Sequence, residues 1–184
     1  MAAKRELTAA MAAILLEEQE QHAVFRQHGE RVAMLTLRAC AARDVAVDEE
    51  VVRWAARFHD LMVFRPFRQA PWSTTYVDES ADLASVYLAE RTTLDDAQRQ
   101  LAVDCIRHHH DVRRHPDPVV DAFRRADWCE VSGGLTSAGL PRHELAAVRG
   151  RHSPRGFWRA LGGLLLRFTV RPINFVRIFW PRRR

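Results

Sequence analysis

Cysteine and long apolar runs are scarce in this 184-residue sequence. The three cysteines, Cys40, Cys105 and Cys129, lie far apart and form no Cys-x-x-Cys pair. This spacing argues against a disulfide framework and a thiolate zinc site, and it favours a reducing compartment. The longest uncharged run near the C-terminus, residues 160–166, is far shorter than the about 20 residues that span a bilayer. Three glutamates within residues 17–20 interrupt the first apolar stretch, so we expect no signal peptide and predict a cytoplasmic protein.

Acidic residues are absent from the last forty positions. Residues 145–184 contain ten arginines and no Asp or Glu, whereas the whole chain has 28 basic and 23 acidic residues and a net charge of +5. The other 144 residues therefore carry 18 basic against 23 acidic side chains, a net charge of −5. We accordingly divide the chain into a helical domain at residues 1–150 and a basic, aromatic-rich arm at residues 151–184.

The arm alternates aromatic side chains with arginines, a composition that suits several partners. It can pack over the acidic domain or against a second subunit of a homo-oligomer. It can also make a peripheral contact with the inner face of a membrane, with its rings at the headgroup level. Contact with nucleic acid is the least favoured interpretation. Pro172 and Pro181 argue against one long amphipathic helix.

Apolar residues recur three and four positions apart along most of the chain, and no segment alternates as a half-buried strand does. This periodicity predicts an all-α fold. Asp48, Thr93 and Asp117 are predicted N-caps, and the Gly-Gly pair at 133–134 is a predicted helix end. Residues 65–75, rich in proline and aromatics, are predicted to form an irregular loop that borders a site. The predicted helices cover residues 6–20, 22–43, 49–63, 78–90, 94–110, 118–133, 142–150 and 155–169.

Four polar residues occupy positions that this periodicity assigns to buried helix faces. They are His28 in the second helix, His59 and Asp60 in the third, and Asp127 in the sixth. Taken singly, such a histidine is more often a hydrogen-bonded core residue, and such an aspartate more often pairs with arginine. Together, two imidazoles and two carboxylates form a mixed set that suits one divalent transition metal, with positions left open for water.

The order of these residues resembles the H…HD…D signature of the HD-domain superfamily, an all-α group of metal-dependent phosphohydrolases. The resemblance covers about residues 22–135 and extends to the flanking residues. Residues 28–32 resemble its H-x-x-R-V, 55–61 its A-x-x-H-D-[IL], 106–110 its I-x-x-H-H, and 126–127 its A-D. The resemblance implies an HD-domain helical bundle, followed here by the basic, aromatic-rich C-terminal extension.

The resemblance also implies a site and a reaction. His28, His59, Asp60 and Asp127 would ligate one divalent ion, which could be Fe, Mn, Co, Ni or Zn. Asp60 would in addition orient an attacking water, so that the protein hydrolyses a small phosphorylated or otherwise anionic metabolite. Two alternatives stay open: an HD-type iron oxygenase or small-molecule hydratase, and a non-catalytic HD scaffold that uses its arm to bind a membrane or a partner.

Further candidates lie outside the signature. In the nucleotidase-like branch of the superfamily, an acidic residue lies three positions after the Asp of the His-Asp doublet. Residues 61–63 are Leu-Met-Val here, so that acid is absent, and Glu79 is a candidate substitute. His109 shares a predicted helix face with apolar residues and is a candidate general acid, with His110 on the neighbouring flank as a substrate contact. Arg31 could pair with an anionic substrate. The simpler alternatives are a helix N-terminal acid, a solvated helix end and a solvated arginine.

Overall fold

The computed structural model describes residues 2–63 and 76–168. Every regular element within them is helical, which confirms the predicted all-α fold. The predicted loop at 65–75 and the end of the arm, residues 169–184, lie outside the described residues. The α-helices in the described part are Ala2–Glu20 (α1), Ala23–Ala41 (α2), Glu49–Phe58 (α3), Tyr76–Arg91 (α4), Asp96–His108 (α5), Pro118–Val131 (α6), Arg142–Arg151 (α7) and Arg155–Phe168 (α8).

Helix α2 lies at the centre of the bundle. It packs most extensively against α6 and also contacts α1, α3, α7 and α8, while α4 and α5 pack on each other and on α1 and α3. Its inward stripe includes the fully buried Val32 and Leu35, which belong to the same hydrophobic core as Phe123 of α6. Gly29 permits a close crossing of α2 and α3, because a Cβ at this position would lie 2.8 Å from the carbonyl oxygen of Ala56. The crossing therefore brings His28 of α2 close to His59, which directly follows α3.

The third predicted helix is interrupted at the His59-Asp60 pair. We expected one helix over residues 49–63, but α3 ends at Phe58 and a short 3-10 helix follows at Leu61–Val63. The backbone N–H of Met62 donates to the Ser80 hydroxyl of α4 at 3.1 Å, which fixes the short helix in its new direction. The prediction missed the break because residues 59–63 contain neither glycine nor proline.

Most of the predicted helix ends are confirmed. Asp48 and Asp117 cap α3 and α6 by accepting hydrogen bonds from backbone N–H groups of the first turn. The predicted cap at Thr93 is wrong: Asp95 caps α5 and forms a reciprocal capping box with Gln98. At the end of α6, Gly134 has a φ of +85° and donates to the Cys129 carbonyl oxygen at 2.8 Å, a left-handed ending that favours glycine.

The beginning of the arm lies against the helical body. Phe157 of α8 is 5% exposed and contacts α2, and Ser153 accepts a hydrogen bond from the buried Arg31. These contacts involve residues that the sequence analysis placed after the domain, whose boundary at residue 150 stays a prediction. In residues 2–63 and 76–168, none of the helices combines the length and apolarity needed to cross a bilayer.

Candidate metal centre

Four side chains that the sequence analysis selected converge in the interior of the bundle. His28 Nε2 lies 3.1 Å from His59 Nε2 and 3.3 Å from Asp127 Oδ1, and the last two atoms are 3.7 Å apart. Asp60 Oδ2 lies 3.7 Å from His28 Nε2 and 3.5 Å from His59 Nε2. His28, His59 and Asp127 are almost completely buried, whereas the Asp60 side chain is 16% exposed. Asp60 is therefore the member of the four that is most open to solvent.

The backbone fixes which nitrogen His59 presents. Because α3 ends at Phe58, the His59 ring can turn back, and its Nδ1–H donates to the carbonyl oxygen of Ala56 at 2.8 Å. His109, at the end of α5, repeats this geometry, because its Nδ1–H donates to the carbonyl oxygen of Ile106 at 2.6 Å. In both rings the Nε2 lone pair is consequently available and directed at the cluster, as a metal ligand requires.

The separations of the ligand atoms fit a metal ion. Bonds of about 2.0–2.1 Å place neighbouring ligand atoms roughly 2.8–3.4 Å apart in octahedral or tetrahedral geometry. The separations between the two imidazoles, and between each imidazole and each of the carboxylates of Asp60 and Asp127, are 3.1 to 3.7 Å and lie close to this range. The chemistry of the set also fits, since imidazole nitrogens and carboxylate oxygens together bind divalent first-row metals.

The electrostatics of the cluster favour a cation. Burial alone would lower the pKa of His28, but the carboxylates of Asp127 and Glu130 beside it outweigh burial and raise this pKa to about 9. Burial likewise opposes ionisation of Asp127, yet the hydrogen bond from His28 and the neighbouring imidazoles hold the pKa of this carboxyl far below its usual value. The negative charge that retains a proton on His28 would attract a divalent ion, which would displace that proton on binding.

The other two imidazoles are neutral at physiological pH. Burial lowers the pKa of His59, and the nearby His28 and His109 lower it further. Burial, reinforced by His110, lowers the pKa of His109 to about 4. Neutral imidazole is the form that binds metals, so neither ring needs to lose a proton first.

Next to this group lies another set of possible ligands. Atoms of Asp60, His109 and His110 lie within 4.8 Å of one another, as do those of His28, His59 and Asp127. Asp60 Oδ1 is 3.8 Å from His109 Nε2, while Oδ2 faces the first group, so Asp60 lies between the two groups. The structure therefore offers ligands for an additional ion beyond the single ion that the sequence analysis favoured.

Tyr76 extends the second group. Its hydroxyl lies 3.2 Å from His110 Nε2, and the side chain is 4% exposed. Burial raises the pKa of Tyr76 well above its usual value, with a further contribution from Asp60, so the phenol stays protonated and can donate a hydrogen bond. The predicted burial of His109 is confirmed at 0% exposure, and His110 is half-buried on the neighbouring flank, as expected.

The remaining sequence candidates lie in different places. Arg31 is completely buried and forms an ion pair with Glu130, and its Nη1 donates to the Ser153 carbonyl oxygen at 3.3 Å. This burial excludes the simpler alternative of a solvated arginine, and the contact with an anionic substrate stays a prediction. Glu79 is half-buried in the first turn of α4, where its catalytic role stays a prediction.

Glu130 and Phe157 are residues near the site that sequence reasoning missed. Glu130 is fully buried, with its Oε2 4.0 Å from His28 Nδ1, and Phe157 stacks on the His28 ring. A signal for Glu130 was present, because it lies one helical turn after Asp127 and so shares its face. No such signal existed for Phe157, which lies outside the motif-bearing segments.

A surface cleft between α1, α2 and α3 is separate from the metal ligands. It has a volume of about 360 Å³, and its lining includes Trp54, Arg53 and Arg57 but none of the six possible ligands. Its arginines already have partners, since Arg53 pairs with Glu30 and Arg57 with Glu20. The candidate metal centre is therefore the buried cluster and not this cleft.

Comparison with known proteins agrees with this geometry. The family model of the HD domain matches residues 25–132, more than half of the chain. The matched range contains all six possible metal ligands and ends before α7 and α8. No curated protein and no solved structure matches the sequence.

Proposed function

Since this chain belongs to the HD-domain family, whose members are generally metal-dependent hydrolases, we propose that it hydrolyses a small phosphorylated or otherwise anionic metabolite. One observation carries the proposal: α2, the turn after α3, and α6 bring two imidazole and two carboxylate ligands together, with Asp60 the most open of the four ligands. A structural metal site would be closed on all sides, whereas a catalytic site keeps a position for water or substrate.

His28, His59, Asp60 and Asp127 would hold the ion. When bound, a divalent ion there supplies a water of lowered pKa and polarises a phosphoryl oxygen. In this proposal Asp60 orients the attacking water, which is supported by one of its oxygens facing the other ligands and the second facing His109. A carboxylate in this position can also accept a proton as the water attacks.

His109 and His110 serve the substrate side of the site. His109 Nε2 has no hydrogen-bond partner among the described residues, although it is buried. Because Nδ1 carries the proton of this neutral ring, Nε2 can accept a hydrogen bond from a water or bind a second ion. His110, held by the Tyr76 hydroxyl, is half-buried and can donate a hydrogen bond to an anionic substrate.

The same residues also support a second candidate. The group formed by Asp60, His109 and His110 could hold a further ion, and a pair of irons would suit an HD-type oxygenase. Metal content distinguishes the candidates. Hydrolysis needs a metal that does not change its oxidation state, whereas the oxygenase needs iron and dioxygen.

The test combines metal quantification with an activity panel on the full-length protein. The purified protein is analysed for metal content and then assayed with Mn²⁺, Co²⁺ or Zn²⁺ on phosphomonoesters and phosphodiesters. Asp60→Ala is the site variant, and Asp82→Ala, which removes a carboxylate that is 76% exposed on α4, is the matched control. We expect Asp60→Ala to lower turnover at least about 100-fold and Asp82→Ala to leave it unchanged.

Three results would contradict the proposal. Equal activity of Asp60→Ala and the unaltered protein would refute the assigned site. Two irons per chain with oxygen consumption would favour the oxygenase. Absence of metal binding, together with no hydrolysis of any panel substrate, would favour the non-catalytic scaffold.

A further inference from the structure

His28 differs from the two other buried imidazoles of the site in how its ring is held. His59 and His109 each donate from Nδ1 to a backbone carbonyl oxygen three residues earlier. His28 Nδ1 has no hydrogen-bond partner among the described residues. A metal ligand normally donates its second ring nitrogen to an acceptor that fixes the ring. The orientation of His28 therefore needs another source.

Phe157 covers one face of the His28 ring. The two ring centroids are 4.0 Å apart and the planes differ by 5°, which is a parallel stack. Phe157 is 5% exposed, so the stack is shielded from water. A flat aromatic partner at this distance restricts tilting of the imidazole about its Cβ–Cγ bond.

A buried ion pair lies at the Nδ1 edge of the same ring. Glu130 Oε2 is 4.0 Å from His28 Nδ1 and accepts a hydrogen bond from Arg31 Nε. The Arg31 guanidinium lies 6.0 Å from the Phe157 ring centroid, and its Nη1 donates to the Ser153 carbonyl oxygen. Glu130 thus presents negative charge to Nδ1, and Arg31 links Glu130 to the segment that carries Phe157.

Helix α8 is fastened to α6 at this point. Trp158 Nε1–H donates to the Glu130 carbonyl oxygen at 3.0 Å, and the Arg149 guanidinium lies 5.8 Å from the Trp158 ring centroid. The Trp158 ring also fills the space beside Gly133, where a Cβ would lie 2.8 Å from it. Phe157 is therefore held on His28 by contacts of its neighbour, and not by the stack alone.

We propose that Phe157 and the Arg31–Glu130 ion pair form a positioning unit for His28, so that the start of the C-terminal arm completes the metal centre. None of these residues touches the other ligands in the described contacts, so the unit acts through His28. The inference rests on the proposed metal site but not on the identity of the substrate. It assigns to residues 153–158 a role within the site, beyond the range of the family match at residues 25–132.

The test measures metal binding by the full-length protein. Phe157→Leu removes the stacked ring, and Phe157→Tyr retains it. Affinity for Co²⁺ is measured by competition with a chromophoric chelator, and the visible absorption of bound Co²⁺ reports the ligand geometry. We expect Phe157→Leu to weaken Co²⁺ binding about 10-fold, in the range for residues that orient a ligand, and to alter the spectrum. Phe157→Tyr should restore both.

A matched control separates positioning from stability. Tyr87→Leu removes a ring of similar size that packs on Trp54 and Phe58 in the body of the protein. It should lower the melting temperature but leave the Co²⁺ affinity within about twofold and the spectrum unchanged. Equal loss of affinity in Tyr87→Leu and Phe157→Leu would overturn the proposal, because it would show a general effect of stability.

A double variant tests the ion pair without leaving a buried charge unpaired. Arg31→Met combined with Glu130→Gln removes both charges at similar volume, which proteins often tolerate. This double variant should also weaken Co²⁺ binding about 10-fold. If Phe157→Leu fails to fold, the double variant tests the proposal in its place. If the double variant and Phe157→Leu both bind Co²⁺ with normal affinity and a normal spectrum, the positioning role is refuted but the proposed metal centre is not. Failure of the unaltered protein to bind Co²⁺ would instead refute the proposed metal centre.

Discussion

Gly29 is the residue that brings two predicted metal ligands within reach of each other. It lies directly after His28, and its Cα faces the carbonyl oxygen of Ala56, the same oxygen that accepts the hydrogen bond from His59. Any side chain at this position would separate α2 from α3. The close helix crossing is therefore part of the geometry of the site.

Replacement of Gly29 by alanine should destabilise the protein. The added Cβ would meet a backbone oxygen at 2.8 Å, which can move only with the helix. We expect the free energy of unfolding to fall by about 1–3 kcal/mol, as for other overpacked cores, in urea denaturation followed by circular dichroism.

Gly150→Ala is the control for this prediction. It lies in α7 with nothing within 4 Å of an added Cβ, so alanine should be neutral or stabilise the helix by up to about 1 kcal/mol. Equal stability changes for the two substitutions would show that the crossing of α2 and α3 is not tight.

At the scale of residues, the sequence identified ligands better than it identified their neighbours. His28, His59 and Asp127 stand out because polar side chains interrupt apolar stripes. Phe157 and Arg31 do not stand out, since an aromatic in an apolar stretch and an arginine in a helix are ordinary residues. Their buried contacts depend on packing between distant segments, which no local pattern encodes.

The connection between α5 and α6 is an element whose structure depends on one buried carboxylate. Asp121 is 3% exposed and accepts hydrogen bonds from Arg124 at 2.8 Å and from the His115 backbone N–H at 3.2 Å. Arg124 also donates to the Asp111 carbonyl oxygen at 3.0 Å. The carboxylate thereby ties residues 111–117 to the first turn of α6.

Asp121→Asn should destabilise the protein in a pH-dependent manner. Burial opposes ionisation, but Arg124 and the His115 N–H outweigh it and lower the pKa of Asp121. A lowered pKa contributes stability that is present above the unfolded value near pH 4 and lost as the pH falls through the lower folded value. We expect a loss of about 2 kcal/mol at pH 6 that diminishes below pH 4, in urea denaturation from pH 6 to pH 3.

Asp82→Asn serves as the comparison for Asp121→Asn. This carboxylate is 76% exposed and pairs with Arg107 at the surface, so its loss should cost less than about 0.5 kcal/mol. A loss of stability in Asp121→Asn that stays constant from pH 6 to pH 3 would contradict the role given to its charge.

The elements themselves could largely be predicted, and the exceptions have physical causes. All eight α-helices in the described residues correspond to predicted ones, because amphipathic periodicity is strong in an all-α protein. The break at His59 and Asp60 was missed because it comes from tertiary contacts, including the hydrogen bond between Met62 and Ser80. The cap of α5 was misplaced by two residues because Thr93 and Asp95 are both capable caps, and only Asp95 has Gln98 at the position that completes the box.

At the scale of the whole molecule, the metal should contribute to stability as well as to chemistry. Its ligands come from α2, from the turn that follows α3, and from α6. An ion would therefore link Asp127 to ligands that lie more than sixty residues earlier in the sequence. An ion that binds only the folded protein stabilises it in proportion to the logarithm of its concentration relative to the Kd.

Addition of Co²⁺ or Mn²⁺ should therefore raise the melting temperature of the full-length protein. At 100 times the Kd the gain is about 2.7 kcal/mol, or roughly 5–10 °C for a chain of this length. Excess EDTA should reverse the shift, and Asp127→Asn should abolish most of it. The measurement is differential scanning fluorimetry, and an equal shift in Asp127→Asn would show that the ion binds elsewhere.

The arginine-rich segment after residue 144 contacts the helical body near the metal centre. The excess of arginine after residue 144 suggested an appendage, but the described part of that segment contributes Ser153 and Phe157 to the surroundings of His28. The membrane, subunit and nucleic-acid interpretations of the arm stay predictions, since residues 169–184 lie outside the described part of the chain.

His59 and His109 are the C-cap residues of α3 and α5, so two helices end at the metal centre. The peptide dipoles of a helix place about half a negative charge at its C-terminus. The site therefore attracts a cation through its backbone as well as its carboxylates, and none of this attraction is counted in the formal net charge. Because these helix ends are buried, dissolved salt screens them far less than it screens the exposed arginines. Metal affinity should consequently vary little with ionic strength, even in a protein whose overall charge is positive.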